Sequence, residues 1–161
     1  MFRVYACVKQ TDSADCGAAC LATVARTHRM KVELAEIRRY AGSGVHGTNV
    51  LNLIQAAKQI GFDARGIRAA PDQLDCIPVP CVAHVVISNL EHYVVIHRVT
   101  SKRVMIADPA RGVLRMPLEQ FFRIWTGVIV QLTPARTGPR GLSIEVLARL
   151  NRVVRRTLRL D

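Results

Sequence analysis

The feature that most constrains this chain is a change of hydrophobic period at Gly61. Before it, apolar residues recur at three- and four-residue spacing; after it, they fall in short β-branched runs. A chain patterned this way builds helices first and a sheet second, and each must bury its apolar face against the other. The spacing predicts a helix over 16–28, capped by Asp15, with Ala19, Cys20, Ala22, Thr23 and Val24 as a compact apolar body. A second, short helix fits 32–40 through Leu34, Ile37 and Tyr40. Thr48 is placed to cap a third, with Val50, Leu51, Leu53, Ile54, Ala57 and Ile60 on its apolar side and Gly61 to stop it. Strands are expected over 62–67, 79–87, 92–99, 103–107 and 128–132, the middle three as an antiparallel meander, with a helical turn near 118–124. The expected class is α+β: N-terminal helices packed on a mostly antiparallel sheet.

The body, 1–133, reads as one domain, and 134–161 as a linker followed by a basic amphipathic helix. In that last segment Val146, Leu147, Leu150, Val153, Val154 and Leu158 keep helical spacing with arginines between them. Such a helix suits a membrane surface, a following domain or the body itself. Half of the 161 residues are hydrophobic, which supplies a core and excludes wholesale disorder. No apolar run approaches the roughly 18 residues that span a bilayer. Residues 1–10 lack the apolar centre and small-residue cleavage site of a secretion signal. The net charge of +11 invites a nucleic-acid reading. That reading rests on charge alone, because aromatic residues make up only 5% and no helix-turn-helix, RNP or zinc-finger spacing is present.

Five cysteines, an odd number without a secretion signal, argue for free thiols in a reducing compartment. Zinc fits poorly, because Cys16 and Cys20 have no second close pair and no His at finger spacing, so no metal or cofactor is expected. Most of the five suit small core positions. Cys16 is different. It stands at a predicted helix N-terminus, where free amides and the helix dipole favour a thiolate, and Gly17 leaves the sulfur room.

A nucleophilic Cys needs a base, and His92 is the best placed of the five histidines because it opens a strand after a turn. His84 and His97 lie inside apolar strands and suit satisfied core positions, while His28 and His46 fall at a helix end and in a loop. Asp108 ends the next strand, where a meander brings it beside His92 to orient the imidazole. Gln10 precedes Cys16 on the approach to the helix, where its amide and the Cys16 backbone N–H can point at one substrate oxygen as an oxyanion hole. The string Gly42-x-Gly44-x-x-Gly47 matches the dinucleotide fingerprint but follows a helix where a strand is required, so it carries no cofactor reading.

Three blocks in order, 10–21 around Asp15-Cys16-Gly17, 92–96 from His92-Tyr93, and 108–112 from Asp108-Pro109, resemble the C39 cysteine peptidase family. The resemblance runs from about Val4 to Thr133 and implies a papain-like fold with Cys16 as nucleophile, His92 as general base, Asp108 as orienting acid and Gln10 as oxyanion donor. It also implies a substrate: a precursor peptide cut after a Gly-Gly-type leader, coupled to export by an ABC transporter. The transmembrane and nucleotide-binding domains of such a transporter are the implied partners, and the cytoplasm, at the inner face of a bacterial inner membrane, the implied location. The helix carrying Leu34, Ile37 and Tyr40, and the Val45 loop, are candidates for the leader groove. A non-catalytic leader-docking domain is the alternative, and the four intact site residues favour the enzyme.

Overall fold

The computed structural model describes residues 4–42 and 48–135. A 3-10 turn at Ser13–Asp15, with the Ala14 N–H donating to the Asp12 carboxylate at 2.8 Å, leads into α1 (Cys16–Thr27). Asp15 occupies the cap position of α1 but makes no cap bond, because its carboxylate is taken by Thr11 and Arg38. Every residue of α1 from Cys16 to Ala25 is buried. A helix apolar on all sides belongs at the centre, and its Gly17, Ala18, Ala19, Ala22 and Ala25 let neighbours approach closely.

Around it lie α2 (Leu34–Ala41) and α3 (Val50–Gln59). Gly42, at φ +59°, ends α2 in the left-handed conformation that glycine takes without penalty. Only Ile37 and Ala41 of α2 are buried, and Tyr40, expected on the apolar side, is exposed. The cap of α3 is Asn49, which accepts from the Asn52 N–H at 2.8 Å; Thr48 stands one residue too early.

Among the described residues six strands form one antiparallel sheet: β1 (Phe62–Arg68), β2 (Cys81–Ile87), β3 (Leu90–Val99), β4 (Arg103–Asp108), β5 (Gly112–Pro117) and β6 (Trp125–Pro134). Their order across the sheet is β1, β6, β2, β3, β4, β5, and α4 (Leu118–Ile124) carries the chain from the edge strand β5 back to β6, between β1 and β2. β2 begins at Cys81, later than the apolar run suggests, since Pro78 and Pro80 have no N–H for the ladder. β3 begins earlier, at Leu90, because Ser88 and Asn89 both take positive φ and close a two-residue hairpin with Ile87 opposite Leu90. β5 was not expected from the pattern; it is a short, partly exposed edge strand.

Alternation along the strands divides the core in two. Val82 pairs with Val95 on the helical side, together with Leu21, Ile37, Leu53 and Phe62. Ala83 pairs with Val94 on the other side, against Phe121, Trp125 and Leu74. No helix among the described residues is long and apolar enough to cross a membrane. The expected linker and basic helix lie outside the described residues from 136 onward, as does the Val45 loop.

Candidate active site

Cys16 begins α1 where that helix runs against β3, and it is 6% exposed. β3 and β4 pair with Val95 opposite Ala107, which brings His92, near the start of one strand, to the end of the other at Asp108. His92 Nε2 lies 3.0 Å from Asp108 Oδ1. The Cys16 side chain is the imidazole's other influential neighbour, and with Nε2 committed to the acid, Nδ1 is the nitrogen left to face the sulfur. Three residues expected together from the sequence are therefore together.

Asp108 is almost fully buried, and every bond it makes favours the carboxylate. Oδ1 accepts from the Ala110 N–H at 2.8 Å as well as facing His92, and Oδ2 accepts from Arg111 Nε at 2.8 Å. Burial pushes this carboxyl up, but hydrogen bonds from His92, Arg111 and Ala110 outweigh it and hold it well below the ordinary range. Burial likewise pushes His92 down, and its bond to Asp108 together with the influence of Cys16 overcomes that, raising it to about 9. Arg111 was not singled out in the sequence, although its place three residues after Asp108 in a turn is a readable sign of a local ion pair.

Gln10 is tied to the same corner: its N–H donates to Pro109 O at 3.1 Å, in the loop after Asp108. Its Oε1 is buried and has no hydrogen-bond partner.

A cleft of about 730 Å³ opens beside Cys16. Val50, Val86, Val128 and Tyr93 give it apolar walls, and Arg68, His84, Glu91 and Thr126 give it polar ones. α2 contributes no residue to this cleft. His97 is the satisfied core histidine expected, buried and bonded to Ala6 O at 2.8 Å. His84 is satisfied too, with Nδ1 2.9 Å from Thr126 Oγ1, but it lines the cleft. The reason is local: the register of β2 against β6 slips between Ala83 and Val85, at His84. Of the five cysteines, Cys20 and Cys81 are core residues as expected, while Cys7 is half-buried and Cys76 exposed. Burial drives the Cys20 and Cys81 thiols upward, Cys81 to about 12, which keeps both unreactive.

The model of the Peptidase C39 family matches residues 4–137. The chain belongs to the peptidase C39 family. LagD of Lactococcus lactis subsp. lactis, a lactococcin-G-processing and transport ATP-binding protein, is 32% identical over 126 residues, 76% of this chain and 18% of LagD. The transport/processing ATP-binding protein ComA of Streptococcus pneumoniae is 37% identical over 131 residues, 78% of this chain and 18% of ComA. The chain thus spans less than a fifth of the length of these relatives. Among solved structures, the peptidase domain of Streptococcus ComA superposes with a TM-score of 0.75 at 33% identity, covering 81% of this chain and 99% of that domain. A double glycine motif protease from an AMS/PCAT transporter, solved with its leader peptide, gives 0.75 at 34% identity, covering 80% and 91%. The α+β architecture is accordingly papain-like, and this member of the C39 family is a cysteine peptidase.

Proposed function

We propose that this C39 domain cuts a precursor peptide after a Gly-Gly-type leader, with Cys16 as nucleophile, His92 as proton carrier, Asp108 as orienting acid and Gln10 as oxyanion donor. The observation that carries the reading is His92, 3.0 Å from Asp108 and raised by the influence of both Asp108 and Cys16, with Cys16 itself lining the cleft. In the reactive form a Cys16 thiolate faces a His92 imidazolium. The sulfur attacks the carbonyl carbon before the scissile bond, and the new oxyanion accepts from the Cys16 backbone N–H and the Gln10 amide. His92 gives its proton to the departing amine, freeing the cargo and leaving the leader as a thioester on Cys16. Water then attacks the thioester, His92 takes its proton, and the leader leaves as a carboxylate.

The cleft supports the choice of substrate. Its valines and Tyr93 offer apolar contact to an extended peptide, while residues lacking side chains would pass most easily over a nucleophile as buried as Cys16. The names of the relatives, in which processing and transport are paired, support placing this reaction beside export. An ABC transporter's membrane and nucleotide-binding domains are the partners we infer, with the cytoplasmic face of the inner membrane as the place.

The test is to incubate the chain with a Gly-Gly precursor peptide and read the products by mass spectrometry. Cleavage after the second glycine is expected, and Cys16→Ala should abolish it while retaining leader binding. Iodoacetamide should modify Cys16 first among the five thiols. Binding without cleavage by the unmodified chain would make this a docking domain instead.

A further inference from the structure

Gln10 and Cys16 are the two ends of one short loop, and a single side chain from another helix fastens both ends. Thr11, next to Gln10, donates its hydroxyl to Asp15 Oδ2 at 2.6 Å, and Asp15 is next to Cys16. This bond closes the loop at its base. Arg38, from the middle of α2, donates through Nε to Asp15 Oδ1 at 2.8 Å, and through Nη2 to both Asp15 Oδ2 and Thr11 Oγ1. Inside the loop, Asp12 caps the 3-10 turn. Outside it, the Gln10 N–H reaches Pro109 O. Asp15 is 1% exposed, so its charge is sustained by these partners alone, and a fork donor that meets two oxygens of one carboxylate also fixes its orientation.

An oxyanion hole built from a side-chain amide and a helix N-terminal N–H works only if the two donors are held at the right separation, since the donors must meet the oxyanion at about 2.7–3.1 Å. We propose that Arg38 is a positioning residue: it clips Thr11 to Asp15 and thereby sets the spacing between the Gln10 amide and the Cys16 backbone. The proposal rests on the roles given above to Gln10 and Cys16.

The test compares variants of the chain in steady-state cleavage of a Gly-Gly precursor peptide, with alkylation of Cys16 by iodoacetamide measured alongside. Alkylation needs the thiolate but no oxyanion hole. Arg38→Gln should lower kcat about 10-fold or more, while KM and the alkylation rate change by less than about two-fold. It should add little to Gln10→Ala in the double variant, because both act through the same donor. Thr11→Val, which removes only the neutral arm of the clip, should give the same pattern on a smaller scale, and Thr11→Ser should restore activity. Additive losses for Arg38→Gln and Gln10→Ala overturn the proposal, as does a fall in alkylation equal to the fall in kcat. If Arg38→Gln does not fold, the same criteria applied to Thr11→Val and its double variant with Gln10→Ala decide. Full activity in Gln10→Ala or Cys16→Ala would instead overturn the underlying assignment, a result separable from any effect at Arg38.

Discussion

His92 is pulled in opposite directions by its surroundings, and the outcome fixes a pH limit. Burial disfavours its charged form, the bond to Asp108 and the influence of Cys16 favour it, and the second influence places it at about 9. Cleavage through a thiolate and imidazolium pair should therefore decline as pH rises through about 9. Asp108→Asn removes the negative charge that holds the proton, so the basic limb of kcat/KM should move down toward the ordinary value of 6.5, with partial activity left. A pH–rate profile of the two forms checks this, and an unmoved limb would mean that His92 is not the group titrating. Stability carries the same sign: a raised pKa contributes stability that is full below 6.5 and lost as pH rises through about 9. Asp108, held low, contributes above its ordinary 3.8 and loses that contribution as pH falls through its folded value. His92 and Asp108 were legible because strand starts and strand ends of a meander must lie side by side. The pairing of Arg38 with Asp15 was not, since 23 residues of chain separate them and neither residue breaks a local pattern.

At the scale of elements, the entry of β6 into the cleft depends on Gly127. Its φ is +83°, and a Cβ there would stand 3.1 Å from the Ala69 carbonyl oxygen, a backbone atom that cannot turn aside. Gly127 O meanwhile accepts from the Ala69 N–H at 2.8 Å, so the two backbones are fastened at close range. Gly127→Ala should destabilise the fold by roughly 1–3 kcal/mol through strained backbone and contact together, measured as a lower urea midpoint. Its neighbours Thr126 and Val128 line the cleft, and Thr126 holds His84, so cleavage should fall with stability. Nothing in the apolar pattern announces this glycine, which falls just before the run that predicts the strand. The helices were easier to read: α1 and α3 declare themselves through periodicity and Gly61. β5 escaped because an edge strand with mixed exposure has no apolar signature of its own.

Taken whole, the molecule places its chemistry on the seam between the two patterns that divide the sequence at Gly61. Cys16 comes from the helical half, His92 and Asp108 from the sheet, and the Gln10 N–H bonded to Pro109 O stitches one to the other. The sequence shows which residues are fit for chemistry, while their meeting across the seam follows from tertiary packing. The described fold completes itself before the arginine-rich segment: β6 ends at Pro134, and the Ala135 N–H donates to Gly61 O at 2.9 Å, fastening the end of the sheet to the end of α3. The family match also stops at residue 137. All four proposed site residues, and the cleft that Cys16 lines, thus precede that point. Truncation after Arg136 should preserve leader cleavage, with kcat/KM within about two-fold of the full chain. The segment removed carries Arg140, Arg149, Arg152, Arg155, Arg156 and Arg159 against Glu145 and Asp161, a balance suited to anionic lipid. Any sedimentation of the full chain with anionic vesicles should accordingly disappear on truncation, and salt should weaken it beforehand. Loss of folding or cleavage on truncation would show instead that the basic segment packs on the peptidase and belongs to the enzyme.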